Sequence, residues 1–269
     1  MERDPPERLY HYTNLETLAL ILENQTIRFT PLINLDDPQE NMSADIPNFG
    51  RFLYASCWTN DSRESIPMWN MYASLDNGVR ISLPLQPFMT ALPTTDESEF
   101  PEDAPVFAGR CKTSGRTVIT NNYSRLSSII GPLECLRITY TDDASLLIPQ
   151  LISSSEDGES ISLSALGRYK NRHWEFQREW RYQISALILA ELTDEYDANA
   201  IFNRFKRART GEPVDMPAHI DMGIHPDSLA QMEIVLSPKI SQGNRLMARA
   251  LLEKYQSGIL VKSELEGLL

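Results

Sequence analysis

Three short segments bring polar and aromatic side chains to places where a strand meets a helix or a turn. The first is Tyr10-His11-Tyr12-Thr13. A neutral imidazole there offers one donor and one acceptor in a rigid ring, which suits it to ribose hydroxyls. A lone histidine at a strand end is more commonly structural, so the segment is ambiguous by itself. The second joins Phe52-Leu53-Tyr54-Ala55-Ser56-Cys57-Trp58 to Met68-Trp69-Asn70-Met71-Tyr72-Ala73. In a regular strand Ser56 and Trp58 leave one face, and Ala55 and Cys57 the other. Tyr72 lies one helical turn beyond Met68 and Trp69. A ring placed there can stack on a flat, electron-poor group such as nicotinamide, with core packing as the competing role. The third is Trp174-Glu175-Phe176-Gln177-Arg178-Glu179-Trp180-Arg181. Gln177 and Glu179 alternate where a strand begins, so both side chains are expected on one side. A carboxylate between tryptophan and two arginines can be held ionised and oriented, or can be a structural ion-pair partner.

The elements that must position these groups follow from periodicity and turn chemistry. Leu9–Tyr12 reads as a strand, and Thr13 or Asn14 as the cap of a helix on which Leu15, Leu18, Ala19, Ile21 and Leu22 recur at helical spacing. Asn24 ends that helix, Ile27–Thr30 alternates as a strand, and Asn34-Leu35-Asp36-Asp37-Pro38 forms a loop. Residues 52–58 and Val79–Leu83 are strands around a short helix at 68–73. Residues 86–135 are loop-rich, and acidic around Thr94 to Asp103, as expected of an insertion or lid. Beyond it the pattern predicts strands at Leu136–Tyr140, Trp180–Leu187, Met232–Leu236 and Ile259–Val261. Helices are predicted at Ala144–Ile152, Leu163–Phe176 and Asn244–Tyr255, with a flexible loop at 153–160. The order lacks regular βαβ alternation, which favours an α+β domain over a doubly wound sheet. Neither GxGxxG nor GxxxxGK[ST] occurs.

The chain has 269 residues, 42% hydrophobic and 23% charged, the balance of one globular domain spanning 1–269. No apolar run reaches the roughly 20 residues of a membrane span, and the N-terminus has no secretory pattern, so a cytoplasmic protein without a membrane partner is expected. A net charge of −12 disfavours non-specific nucleic-acid binding. Cys57, Cys111 and Cys135 are widely spaced and read as reduced thiols. His11, His173, His219 and His225 lack metal-ligand spacing, so no metal is expected. A cysteine hydrolase built on Cys57 finds no supporting nucleophile motif.

Taken in order, YHYT, IRFTPLINLDDPQE, YASCWT, MWNMYA with NGVRISL, and EFQREWR resemble a bacterial family of domains of unknown function. That family shares YHYT, NDP-E, SCF/W, MWxxYA-GV and ExEWR motifs. The closing IVLSP and ILVKSEL are similar to its ending, so the likeness spans nearly the whole chain and is weakest over 86–135. The family in turn resembles the ADP-ribosyltransferase superfamily. The implied fold is a core of two packed, mainly antiparallel sheets flanked by helices. The implied activity is ADP-ribosyl transfer from NAD, used as substrate, to a macromolecule.

Carried over position by position, His11 matches the first motif and Glu179 the third. Tyr72 is the implied second-motif aromatic, with Ser56 the alternative. His11, Tyr12, Thr13, Ser56, Tyr72 and Arg28 are the implied cofactor contacts, and Gln177 and Arg181 the implied acceptor contacts; Arg181 is also a candidate for the pyrophosphate. Breaking the nicotinamide–ribose bond passes through an oxocarbenium-like state, which a carboxylate near the ribose stabilises. Arg168, Lys170, Arg172, Arg178 and Arg181 crowd around Glu179, and Arg204, Lys206, Arg207 and Arg209 form a second basic run. Either cluster could guide NAD, an RNA or DNA acceptor, or an acidic protein. The resemblance to this superfamily implies a bacterial toxin or phage-defence effector and, for a toxin, a neutralising antitoxin or inhibitor protein as partner. An NAD glycohydrolase and a non-enzymatic nucleotide-binding module are the alternatives.

Overall fold

Strands and helices begin where the sequence supplies caps and alternation. In the computed structural model the described residues are 5–88, 109–113, 116–119, 133–155, 158–162, 165–185, 207, 209–212 and 216–269. The first strand, β1 (Arg8–Asn14), runs directly into the helix Leu15–Asn24. Asn14 rather than Thr13 is the cap: its side chain accepts from the Thr17 N–H, while Glu16 sits in the positive first turn. The helix buries Leu15, Leu18, Ile21 and Leu22 and stops at Gln25, which takes a left-handed conformation with φ 53°.

The remaining strands are β2 (Thr26–Pro31), β3 (Leu53–Thr59), β4 (Gly78–Pro84), β5 (Gly109–Thr113), β6 (Arg116–Ile119), β7 (Glu134–Arg137), β8 (Thr139–Thr141), β9 (Ile152–Ser155), β10 (Gly158–Ile161), β11 (Tyr169–Asn171), β12 (Glu179–Ser185), β13 (His219–Gly223), β14 (Glu233–Leu236) and β15 (Ile259–Val261). They make a mixed α+β fold around a mostly antiparallel sheet. Its main path is β15-β14-β4-β1-β3-β2-β13-β5-β6, with β12 and β7 branching from β3. Eleven of the described strands join in this one hydrogen-bonded network, which forks at β3, while β9 with β10 and β8 with β11 form two further two-stranded sheets.

The fork can be read from the registers. One edge of β3 pairs with β12 over its whole length, Glu179 opposite Thr59 through Ser185 opposite Leu53. The other edge is shared: β2 pairs with it only at Tyr54 and Ala55, and β1 only at Thr59. Ser56, Cys57 and Trp58 have no ladder partner on that edge. The two limbs fold over a common core containing Leu9, Leu18, Phe29, Tyr54, Trp58, Ile81, Tyr182, Met222 and Ile234. The terminal helix Gln242–Tyr255 packs beside Leu15–Asn24.

Several predicted elements change. The helix expected over Leu163–Phe176 does not form in its described part. Gly167, at φ +74°, breaks it, and Asn171 caps a separate 3₁₀ segment, Arg172–Gln177. The helix expected over Ala144–Ile152 is one turn, Ala144–Leu147, followed by β9. Met68–Ala73 is a helical turn from Ile66 to Met68 continued by a π-helical turn, Trp69–Ala73. Most of the expected insertion at 86–135 lies outside the described residues. No helix among the described residues is long and apolar enough to cross a membrane.

Candidate active site

A cleft of about 290 Å³ opens at the unpaired stretch of β3. Its walls include His11, Tyr12, Arg28, Asp36, Ser56, Cys57, Tyr72, Lys170, Gln177 and Glu179. Three distant motifs, carrying His11, Tyr72 and Glu179, therefore reach one cavity. They do so by an indirect route. The register sets Tyr10 opposite Thr59 and Thr59 opposite Glu179, so Tyr10 and Glu179 share a face and His11 points to the other. Only at the fork, where the edge of β3 is open, can one cavity touch side chains from both faces.

His11 fills the position where the β1 ladder leaves β3. Its Nδ1 lies 2.7 Å from the Cys57 carbonyl oxygen, and its ring sits 5.1 Å from the Trp58 ring. A carbonyl can only accept, so Nδ1 carries the proton and Nε2 keeps its lone pair. Burial lowers the His11 pKa, and the bond to Cys57 only partly opposes this, so the imidazole is neutral at pH 7.

Glu179 sits at the start of β12 and is 3% exposed. Arg181 Nε donates to its Oε1 at 2.9 Å, and Lys170 Nζ to its Oε2 at 3.0 Å. Burial alone would raise the carboxyl's pKa. Arg181 and Lys170, helped by a hydrogen bond from the Cys57 thiol, outweigh it and hold the pKa down to about 2. Glu40, 3% exposed, completes a buried quartet: its Oε1 is 3.0 Å from Lys170 Nζ, and its Oε2 pairs with Arg181 Nη1. The turn Pro38–Asn41 presents Glu40 because Asp37 caps it, accepting from the Gln39 N–H at 3.0 Å. In this way the DDPQE and EWR segments meet as ion pairs.

Gln177 and Glu179 do converge, but not through strand alternation. Arg178 between them has φ 44°, and this bend turns both side chains toward Lys170. Gln177 Oε1 accepts from Lys170 Nζ at 2.9 Å, and Gln177 Nε2 donates to the Tyr72 hydroxyl. Tyr72 in turn donates to the Asp36 carboxylate. Burial, reinforced by Asp36, raises the Tyr72 pKa far above its usual value, so the phenol stays protonated. Trp69 is wholly buried against Tyr12, ring to ring at 5.0 Å, and is a core residue.

Other expected contacts fall differently. Arg181 is 0% exposed and lies beneath Glu179, so it cannot touch an acceptor or a pyrophosphate; two carboxylates draw it inward. Thr13 is buried in the β1–β4 ladder opposite Val79 and does not line the cleft. Ser56 lines it, but its hydroxyl accepts from Trp58 Nε1 at 2.9 Å. Tyr12 also lines it, with its hydroxyl accepting from the Ser65 N–H. Arg28 lies on the wall in a two-point pair with Asp221, at 2.9 and 3.1 Å. Burial and the nearby Glu179 raise the Cys57 thiol well above its ordinary range, which removes it as a nucleophile.

The basic cluster around Glu179 is already partnered. Arg168 pairs with Glu134, Arg172 with Asp142 and Arg178 with Asp61, at 2.8, 3.2 and 2.9 Å. In the second run Arg207 pairs with Glu212, while Arg204 and Lys206 lie outside the described residues.

Sequence reasoning missed the parts played by Glu40, Asp36 and Lys170. Asp37-Pro38 is a turn-capping signal that could have drawn attention to Glu40; the sequence marks Lys170 only as one of five basic residues near Glu179, and its pairing with Glu40, 130 positions away, leaves no local sign. No protein-family model matches the chain, and no curated protein or solved structure does either.

Proposed function

We propose that the cleft binds NAD and transfers its ADP-ribosyl group to a macromolecular acceptor, nucleic acid or protein, with an ADP-ribosyltransferase-like core as scaffold. The observation that carries this reading is the meeting of His11, Tyr72 and Glu179 in one cavity, each from a separate motif. A volume of about 290 Å³ suits one nucleoside-sized half of a dinucleotide, with the remainder running past Arg28. His11 Nε2 would accept from a ribose hydroxyl, and the Tyr72 ring would stack on nicotinamide.

Glu179 would act through its charge. A carboxylate held at a pKa of about 2 is a poor proton acceptor near neutrality, but it is a fixed anion beside an oxocarbenium-like ribose. Oε2, bonded to Lys170 and not to Arg181, would accept from the ribose hydroxyl next to the reacting carbon. By its resemblance, the protein would act inside a bacterial cell as a toxin or defence effector restrained by an inhibitor protein.

The test is incubation of labelled NAD with cell lysate, followed by nuclease or protease. Label released by nuclease marks a nucleic-acid acceptor, label released by protease marks a protein, and free ADP-ribose alone marks a glycohydrolase. Glu179→Gln should lower turnover by orders of magnitude, with circular dichroism confirming the fold. Wild type that consumes no NAD, and binds it no better than His11→Ala, overturns the reading. The near-complete burial and ion pairing of Glu179 then favour a nucleotide-binding module without turnover.

A further inference from the structure

We propose that Lys170 is the positioning residue that joins the carboxylate wall of the cleft to the Tyr72 wall and fixes the direction of every hydrogen bond between them. Its role in turnover rests on the NAD reading above, but its role in the geometry does not.

Lys170 is 2% exposed, and its ammonium has three N–H bonds. Three oxygens lie within 3.0 Å of it: Gln177 Oε1 at 2.9 Å, Glu179 Oε2 at 3.0 Å and Glu40 Oε1 at 3.0 Å. Two of the N–H bonds go to Gln177 and Glu179 and Glu40 adds an ion pair, so the buried ammonium works through these neighbours even though it lines the cavity.

An ammonium can only donate, which removes a freedom at each following step. Gln177 must present its carbonyl oxygen to Lys170, and so must turn its NH₂ toward Tyr72. The Tyr72 hydroxyl, accepting from that NH₂, must give its own proton to Asp36. The order Lys170, Gln177, Tyr72, Asp36 therefore runs one way. The same ammonium holds the Glu179 oxygen that Arg181 does not, so one charge sets both the carboxylate and the orientation of the tyrosine. An uncharged residue here would let the Gln177 amide flip and would leave Glu40 and Glu179 facing a single cation, Arg181.

The charged and titratable groups around Glu179 are Lys170, Arg181, Glu40, Cys57, Tyr72 with its partner Asp36, and Tyr140, whose hydroxyl accepts from the Glu179 N–H at 2.8 Å. Carbon-13 carboxyl titration of Glu179 in wild type and in Lys170→Met reads the coupling without any need for activity. The expected result is a rise in the Glu179 midpoint of about one unit or more. An unchanged midpoint overturns the proposal. Lys170→Met leaves an unbalanced buried charge. The charge-neutral pair Glu40→Gln with Lys170→Met therefore serves as the second variant, with a smaller upward shift expected because loss of the Glu40 charge favours the ionised Glu179.

In NAD turnover, Lys170→Met should lower kcat at least tenfold while KM stays within about threefold, with Lys170→Arg recovering part of the loss. Equal kcat in wild type and both variants overturns the catalytic part. Absence of turnover in wild type refutes the NAD reading alone, and the titration still decides the role of Lys170.

Discussion

Replacing Arg181 with methionine separates a buried structural cation from an acceptor contact. The side chain is 0% exposed, and its guanidinium holds Glu179 Oε1, Glu40 and the Gly167 carbonyl, the last at 3.2 Å. Its loss converts a quartet of two cations and two carboxylates into one cation facing two. Breaking such a buried set by removing one partner costs about 3–5 kcal/mol. At about 2–4 °C per kcal/mol for a chain near this size, the melting temperature should fall by roughly 6–20 °C.

Urea unfolding at pH 7, followed by tryptophan fluorescence and circular dichroism, measures the loss. Adding Glu40→Gln restores neutrality and should return more than half of it. The pH dependence supplies an independent arm. Glu179 is held down to about 2 from an ordinary value near 4.3, a depression worth roughly 3 kcal/mol. That contribution is complete above the ordinary carboxyl range and disappears as the pH falls toward 2. Without Arg181 the acid-side slope should flatten. A destabilisation below about 1 kcal/mol, or a double variant no more stable than the single one, would refute the reasoning.

Three further outcomes are expected. Nitrogen-15 spectra of His11 should show the Nδ1–H tautomer at pH 7 and a midpoint below 6.5. Its contribution to stability is then full above about 6.5 and is lost as the pH drops through the lowered value; a midpoint above 6.5 contradicts this. Tyr72→Phe keeps the ring but leaves Gln177 Nε2 without its partner, costing about 1–2 kcal/mol of stability. NAD affinity, measured calorimetrically, should change little in Tyr72→Phe and fall about tenfold in Tyr72→Ala; equal losses would mean that the hydroxyl, not the ring, meets the ligand. Asn14→Ala should cost about 1 kcal/mol in thermal unfolding by removing the bond to the Thr17 N–H, and no change would assign the cap elsewhere.

Elements governed by local alternation and capping were legible in the sequence. Leu9–Tyr12, the helix after Asn14, the FLYASCW strand and the final helix and strand all lie within a few residues of their observed bounds. The long helix read into 163–176 failed because apolar spacing outweighed Gly167, whose positive φ breaks the run. At the site, His11, Tyr72, Gln177 and Glu179 were legible as chemical types, and the structure brings them to one cavity. Arg181 was not, because its position beside Glu179 suggests an exposed cation as readily as a buried one. Glu40, and its pairing with Lys170, were hidden for a related reason: a buried charge is recognised by its partner, and partners 130 positions apart leave no periodic trace.

The fork at β3 also limits how the protein can move. The strands that carry His11 and Glu179 hang from one continuous strand, through full pairing with β12 on one side and two short pairings with β2 and β1 on the other. Widening the gap would shear backbone ladders on which the whole core is built. Adjustment to a bound molecule therefore falls to the covering segments, the Asn34–Asp37 loop and the turn that carries Tyr72, while the aperture itself keeps a fixed gauge.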